Sequence, residues 1–199
     1  VFHRHPESKM KSLLPVLLLA TSGAALAAPV TYTIDPTHTY PSFATDHFGG
    51  LSVWRGKFKT TAGKIVLDAA AQTGTVDITV QASSVDTGYD KLDEHVRSAE
   101  LLDAAKYPTA TYQGKLVDFK DGKPTAVDGT FTLHGVSKPL RLAISHFQCQ
   151  QNPMNKLDTC GAEASGTFQR DAFGVDYGKG YGFKMDVTLA IQVEGTKAP

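Results

Sequence analysis

The sequence lacks the features and motifs that are typical of several large protein classes. Its 20 Lys and Arg residues balance 20 Asp and Glu residues, so there is no net positive charge with which to hold nucleic acid. It contains neither the G-x-S-x-G element of serine hydrolases nor a G-K-S/T phosphate loop. Asp86-Thr87-Gly88 matches the active-site tripeptide of aspartic proteases, but residues 28–199 hold no second copy to supply the other aspartate. We therefore expect no catalytic residues, no cofactor and no nucleic acid partner.

Long apolar runs are also scarce, and the one near the N-terminus is short. A basic start is followed by an apolar run from Leu13 to Ala20 and by an A-x-A site that ends at Ala27. This order is typical of a secretory signal peptide, and the run is shorter than the roughly 20 residues of a membrane span. We predict an upstream extension and signal peptide over residues 1–27, cleaved after about Ala27, and one exported domain over residues 28–199.

Cysteine is nearly absent, since the chain has only Cys149 and Cys160. The two enclose a polar stretch with the turn formers Asn152 and Pro153. In the oxidising surroundings of an exported protein, this spacing predicts a disulfide that closes the end of a hairpin. A metal site built from these cysteines and His146 would lack a further close cysteine or histidine ligand, so we predict no metal.

Most of residues 28–199 alternate between apolar and polar side chains. The clearest run has an apolar residue at every second position from Phe183 to Val193. Such alternation is typical of strands with one dry face and one wet face. Turn-forming residues separate the runs into eight or nine strands, with the first two segments as halves of one bent strand. The segments lie near residues 31–35, 42–48, 51–60, 64–68, 75–83, 109–119, 126–134, 139–148, 162–170 and 182–194.

The length of these strands favours a sheet that closes on itself. Short connections make the strands antiparallel, and glycines inside them, such as Gly114 and Gly129, permit sharp coiling. We predict a mainly β fold, a closed antiparallel barrel of eight strands. A barrel of that size has an interior just large enough for one small ligand.

One segment has a helical rather than a strand period. Leu92, Val96 and Ala99 are spaced for one face of a helix, with charged residues on the remainder. We predict an amphipathic helix over about residues 88–104 that packs on or caps the barrel. Thr87 and Asp90 have the spacing of a capping box at its start.

Two groups of side chains are candidates for ligand contacts. The polar side of the helix carries Asp93, His95 and Arg97, whose charged and polar groups suit the polar head group of a ligand. Aromatic residues within the strands line either a packed core or a cavity, which the sequence does not separate. These aromatic candidates are Phe43, Phe48, Trp54, Phe58, Phe131, Phe168 and Phe183.

Four stretches resemble, in order, the signature blocks of the YceI-like family, which are exported bacterial proteins described as polyisoprenoid-binding. They read "YTIDPTHTYPSFATDHFGG", "SSVDTGYDKLDEHVRSAELLDAAKYPTATYQGK", "VDGTFTLHGVSKPLRL" and "GTFQRDAFGVDYG". The resemblance spans essentially all of residues 31–194. It implies a lipocalin-like barrel, closed by a helix, that holds a long isoprenoid or similar amphiphile in its interior.

On this resemblance we expect a periplasmic or secreted carrier of a polyisoprenoid, quinone-like or fatty amphiphile that does no chemistry on its ligand. A membrane or membrane protein would be its delivery partner. A strand of ten residues spans only about 33 Å, so a long prenyl chain would fold back, protrude or be shared in a homodimer. Two alternatives stay open: an enzyme acting on such a lipid through His95 and Asp93 or His47, and a structural barrel with a filled interior.

Overall fold

The computed structural model describes residues 1–3 and 28–198, which form an almost entirely β structure. Residues 4–27 of the predicted upstream extension and signal peptide lie outside the described residues. No helix within this described part of the chain is long and apolar enough to cross a membrane. The elements are β1 (Val30–Ile34), β2 (Tyr40–His47), β3 (Ser52–Phe58), β4 (Thr61–Asp68), β5 (Thr73–Gln81), β6 (Val85–Asp86), α1 (Asp90–Arg97), β7 (Thr109–Val117), β8 (Ala126–Leu133), β9 (Val136–Gln151), β10 (Asp158–Gln169) and β11 (Asp186–Lys197).

Eight of the strands form a closed ring. Its order is β1-β4-β5-β7-β8-β9-β10-β11, and β11 pairs back onto β1 to complete the circle. Every pairing in the ring is antiparallel. The predicted closed antiparallel barrel of eight strands is therefore confirmed.

Strands β2, β3 and β6 extend one end of the barrel. The first part of β11 pairs with β2 and its last part pairs with β1, so β1 and β2 lie end to end along one partner. In turn β3 pairs with β2 on one side and with the two-residue β6 on the other. We call this end, which also carries α1, the helix end, and the opposite end the disulfide end.

The alternating pattern of the sequence sets which face of each strand points inward. On β9, Leu140 and Leu142 are buried while the intervening Arg141 is exposed and pairs with Asp118 and Asp128 on the outer surface. Inward-facing side chains from five strands form one apolar cluster. Its buried members are Leu67, Val76, Tyr112, Leu116, Val127, Leu140 and Leu142.

The helix is shorter than predicted, because it ends at Arg97 rather than near residue 104. Ser98 is extended and its hydroxyl donates to the His95 carbonyl at 2.7 Å, which ends the helical hydrogen-bond ladder. The predicted capping box is wrong as well. Tyr89 stands at the N-cap without a side-chain hydrogen bond, and Thr87 instead donates to Asp93.

The disulfide between Cys149 and Cys160 is confirmed. The two residues face each other across β9 and β10, close to the turn of this hairpin. The bond therefore joins positions that the strand ladder already holds together.

Removal of this disulfide should lower stability without changing the fold. For so short a loop the chain-entropy model gives about 3 kcal/mol at most, and the ladder between β9 and β10 remains in place. We expect the Cys149→Ser/Cys160→Ser variant to unfold at a lower denaturant concentration than the oxidised protein, with unchanged far-ultraviolet circular dichroism. Wild-type protein reduced with dithiothreitol is the matched control and should show the same loss. A double variant without folded structure would contradict the prediction.

Candidate ligand-binding cavity

The barrel is hollow. Its interior holds a cavity of about 650 Å³, within the usual range of small-molecule sites. Small inward residues, including Ala110, Ala162 and Ala164, leave room that larger side chains would fill. Aliphatic side chains from every side of the ring complete the wall, so most of its surface is apolar. The principal aliphatic members are Ile65, Leu67, Val76, Ile78, Val80, Leu116, Val127, Leu133, Leu140, Leu142, Ile144, Val187, Leu189, Ile191 and Val193.

The cavity opens at the helix end. Four of the residues that line it are exposed to solvent, namely Phe48, Tyr89, Lys91 and Tyr177. All four lie in the β2–β3 turn, around the start of α1, or in the segment between β10 and β11. The remaining lining residues of the described chain are buried or half-buried, including those at the disulfide end.

The aromatic residues singled out in the sequence all line this cavity. They are Phe43, Phe48, Trp54, Phe58, Phe131, Phe168 and Phe183. Around the opening, the His47 ring meets Phe48, Trp54 and Phe183 edge-on, at centroid distances of 4.5, 6.0 and 5.5 Å. The structure therefore places these candidates on one surface, and their contact with a ligand stays a prediction.

The three polar helix candidates do not act together. His95 lines the cavity, whereas Asp93 and Arg97 do not. The buried Asp93 carboxylate accepts hydrogen bonds from the Thr87 amide at 2.8 Å and from the Thr87 hydroxyl at 2.7 Å. It therefore fixes the approach to α1. Ligand contacts of Asp93 and Arg97 stay a prediction, as does that of His95.

His95 has a different carboxylate neighbour from the one proposed for an acid–base pair. Its Nδ1 lies 3.3 Å from Oε2 of the exposed Glu100, and its ring stands edge-on to Tyr177 at 4.7 Å. Leu101 and Leu102, which follow the shortened helix, also line the cavity. The helix region thus contributes His95, Lys91 and several apolar side chains to the wall.

Arg170 is a polar wall residue that the sequence reasoning missed. It is only 8% exposed, follows the last residue of β10, and lines the cavity. Its Nη1 donates to the Val175 carbonyl at 2.9 Å and its Nη2 to the Tyr177 carbonyl at 2.8 Å. Burial lowers the pKa of the guanidinium. A signal was present in the sequence, because Arg170 continues the every-second-residue pattern of Ala164 and Phe168, where a cation is unusual.

Besides Arg170, the wall contains a polar group that makes no hydrogen bond with the described residues. The hydroxyl of Thr61, at the start of β4, is buried and makes no hydrogen bond with the described residues. Thr61 also lines the cavity. Its hydroxyl and the Arg170 guanidinium are polar groups in a wall that is otherwise mainly apolar.

A polar cluster outside the cavity has the spacing of metal ligands but is explained by an ion pair. Ligand atoms of Asp35, His38 and Glu194 lie within 4.8 Å of one another on the outer surface. His38 Nδ1 is 2.8 Å from Asp35 Oδ2, and this contact raises the pKa of His38. Hydrogen bonds from Thr37 and then from His38 lower the pKa of Asp35 to about 2. The cluster is an exposed ion pair with a neighbouring carboxylate.

Sequence comparisons identify relatives along nearly the whole chain. The model of the YceI-like domain matches residues 32–195. A UPF0312 protein of Pectobacterium atrosepticum is 33% identical over 187 residues, covering 94% of this chain and 95% of that protein. Protein YceI of Salmonella arizonae is 33% identical over 181 residues, covering 90% of this chain and 93% of the relative.

Solved structures with the same fold include proteins of three bacteria. The YceI protein of Campylobacter jejuni is 26% identical with a TM-score of 0.63, covering 75% of this chain and 88% of its own. BcnA of Burkholderia cenocepacia is 19% identical with a TM-score of 0.63, covering 81% of this chain and 98% of its own. A polyisoprenoid binding domain from Saccharophagus degradans, implicated in plant cell wall breakdown, is 16% identical with a TM-score of 0.62, covering 85% of this chain and 99% of its own. At their low identities the last two support the fold alone.

Proposed function

The chain belongs to the YceI-like family, and from that premise we propose that it binds an isoprenoid, quinone-like or other long-chain amphiphile inside the barrel. The observation that carries the proposal is the apolar cavity of about 650 Å³ that opens at one end. A polyisoprenoid binding domain shares this fold, and the ligand class proposed here rests on the cavity rather than on that distant likeness.

The chemistry of the wall suits an alkyl or prenyl tail. Transfer of such a tail from water to an apolar surface is worth up to about 0.8 kcal/mol per methylene. Binding retains only about 0.3 kcal/mol per heavy atom of a large ligand, because ordering and association costs oppose it. A tail of 15 carbons would therefore contribute about 4.5 kcal/mol, and the polar groups near the opening would select the head.

We further propose that the protein carries its ligand without changing it. The enzyme alternative required His95 with Asp93 or His47 as acid and base. Asp93 is engaged by Thr87, and the ring of His47 is surrounded by aromatic rings at the opening. The filled-barrel alternative is disfavoured by the cavity itself.

The proposed setting is the periplasm or the exterior of a bacterium, with a membrane or a membrane protein as source of the ligand. This follows from the signal-peptide pattern of residues 1–27 and from the surroundings of the opening. Large side chains that are exposed there include Phe48, Leu51, Tyr89, Tyr177 and Tyr181. Tyrosines are favoured at membrane interfaces, where one part of the ring is apolar and the other wet. A prenyl chain longer than the cavity would protrude through this opening or be shared with a second copy.

Extraction and thermal unfolding test the proposal. We expect organic extracts of protein purified from a bacterial host to contain a stoichiometric long-chain lipid by mass spectrometry. Delipidated protein should gain stability when farnesol or a longer prenyl alcohol is added, by about 2.7 kcal/mol at a concentration 100 times its Kd. Absence of bound lipid together with no rise in Tm for any prenyl or fatty ligand would refute the proposed function.

A further inference from the structure

The buried cation in the cavity wall has no carboxylate partner within residues 1–3 and 28–198. Arg170 is 8% exposed, yet no Asp or Glu side chain of the described residues is within salt-bridge distance of it. A guanidinium has five N–H groups and stays protonated in proteins. Only two of these five are engaged within the described chain, by the carbonyls of Val175 and Tyr177. Three donors are thus left without an acceptor there.

Nearby carboxylates act on Arg170 only from a distance. Asp46, Asp171 and Asp176 favour its charged form electrostatically, but burial outweighs them. Asp171 already pairs with the Lys179 ammonium at 2.8 Å. The Asp46 carboxylate accepts the backbone N–H groups of Gly49 and Lys184, at 2.8 and 2.9 Å. These acids are therefore committed to other partners or lie too far away.

An isolated buried charge is costly, and proteins satisfy it by pairing. Arg170 lines the cavity, which opens at this same end. Lys91, His47 and His95 also line it there, and among the described residues Asp46 is the only acidic one in the wall. The charged lining at the opening therefore favours an anion over a cation.

We propose that the bound amphiphile has an anionic head group, a carboxylate or a phosphate, which pairs with Arg170 at the helix end of the cavity. This inference rests on the proposed function and adds the chemical class of the head. The planar fork of arginine matches both kinds of anion with two parallel hydrogen bonds. The tail then extends along the apolar wall toward the disulfide end.

Matched pairs of lipids separate head-group recognition from tail binding. Delipidated protein is titrated with farnesyl phosphate and farnesol, and in a second arm with palmitate and hexadecanol, each below its critical micelle concentration. We expect wild type to bind the anionic member of at least one pair at least tenfold more tightly than the neutral member. The lipid pair with the larger ratio of anionic to neutral affinity identifies phosphate or carboxylate as the preferred head group.

Variants of Arg170 then locate the preference. Arg170→Gln removes the charge but keeps an amide that can donate to a loop carbonyl, and it should lose the preference, so that farnesyl phosphate and farnesol bind it with similar affinity. Arg170→Lys keeps a charge and should retain part of the preference. Arg141→Gln is the control, because Arg141 is exposed on the outer surface in ion pairs with Asp118 and Asp128 and should leave the ratio unchanged.

The outcomes distinguish this inference from the proposed function. Equal affinities for the charged and neutral members of both pairs in wild type would overturn the anionic head, while tail binding would still stand. Retention of the preference in Arg170→Gln would overturn the role of Arg170. Failure of all four lipids to bind would instead count against the proposed function. If Arg170→Gln lacks a cooperative thermal transition, the wild-type ratios and Arg170→Lys decide.

Discussion

Ala164→Trp should weaken lipid binding by roughly 100-fold while the barrel stays folded. Ala164 is on β10, half-buried, lines the cavity and packs against the apolar cluster of the wall. An indole at this position would occupy the space that we assign to the ligand tail. With about 0.3 kcal/mol retained per heavy atom, each excluded five-carbon unit loses about 1.5 kcal/mol, or roughly tenfold in affinity. Exclusion of two units therefore weakens binding by roughly 100-fold.

The stability of the unliganded variant makes this prediction specific. The new side chain replaces empty space with apolar contacts, so the Tm without lipid should stay the same or rise. Fluorescence titration with a prenyl alcohol and thermal unfolding without ligand are the two measurements. Ala143→Trp is the matched control, since Ala143 is exposed on the neighbouring strand β9 and should bind lipid normally. Normal affinity in Ala164→Trp would show that the tail does not pass this part of the cavity.

Gly63→Ala should lower the free energy of unfolding more than the same substitution at Gly122, Gly129 or Gly180. Gly63 has φ +145°, which side-chain-bearing residues rarely adopt, and lies on β4 opposite Ile78 of β5. A Cβ atom there would lie 2.1 Å from the Asp77 carbonyl oxygen and 2.9 Å from the Ile78 Cα. Both are backbone atoms, so no side-chain rotation relieves the overlap. Backbone strain and overpacking of about 1 to 3 kcal/mol each predict a loss of roughly 4 kcal/mol.

Three other glycines separate the two contributions. Gly180→Ala should be nearly neutral, because nothing lies within 4 Å of its Cβ position and its φ is not positive. Gly122→Ala adds only strain, since its φ is +75° but its Cβ position is open. Gly129→Ala adds only a clash, with the Tyr112 ring at 2.5 Å and with the Gln113 carbonyl oxygen at 2.8 Å.

The free energy of unfolding measured in urea should be lowest for Gly63→Ala, intermediate for Gly122→Ala and Gly129→Ala, and highest for Gly180→Ala. For a domain of this size each kcal/mol lowers Tm by about 2 to 4 °C, so Gly63→Ala should melt roughly 8 to 16 °C below wild type. A Gly63→Ala variant as stable as Gly180→Ala would mean that β4 and β5 shift apart without penalty.

Much of the fold could be predicted because its cause is local. The alternation from Phe183 to Val193 specifies one dry face, and β11 (Asp186–Lys197) occupies most of that run. The pairing of Cys149 with Cys160 followed from their spacing around turn-forming residues, and the structure confirms it. In both cases the interacting residues are close in sequence, so the pattern itself carries the information.

The helix region shows where local reasoning failed. Spacing alone extended the helix to about residue 104, but the Ser98 hydroxyl competes for the His95 carbonyl and the chain turns so that Leu101 and Leu102 reach the cavity. The hydrogen bonds from Thr87 to Asp93 were not predicted, because Thr87 precedes the helix and comes close to Asp93 only in the folded chain.

The sequence by itself determined the strand pattern, the antiparallel order, the disulfide and the apolar character of the inward face, since these depend on side-chain period and short connections. Only the tertiary structure decided that the interior is hollow, that it opens beside α1, and that Arg170 is buried in its wall without an acidic partner among the described residues. The physical reason is that a cavity is the difference between the space a ring of strands encloses and the volume its side chains fill. That difference depends on how strands distant in sequence are placed around the ring.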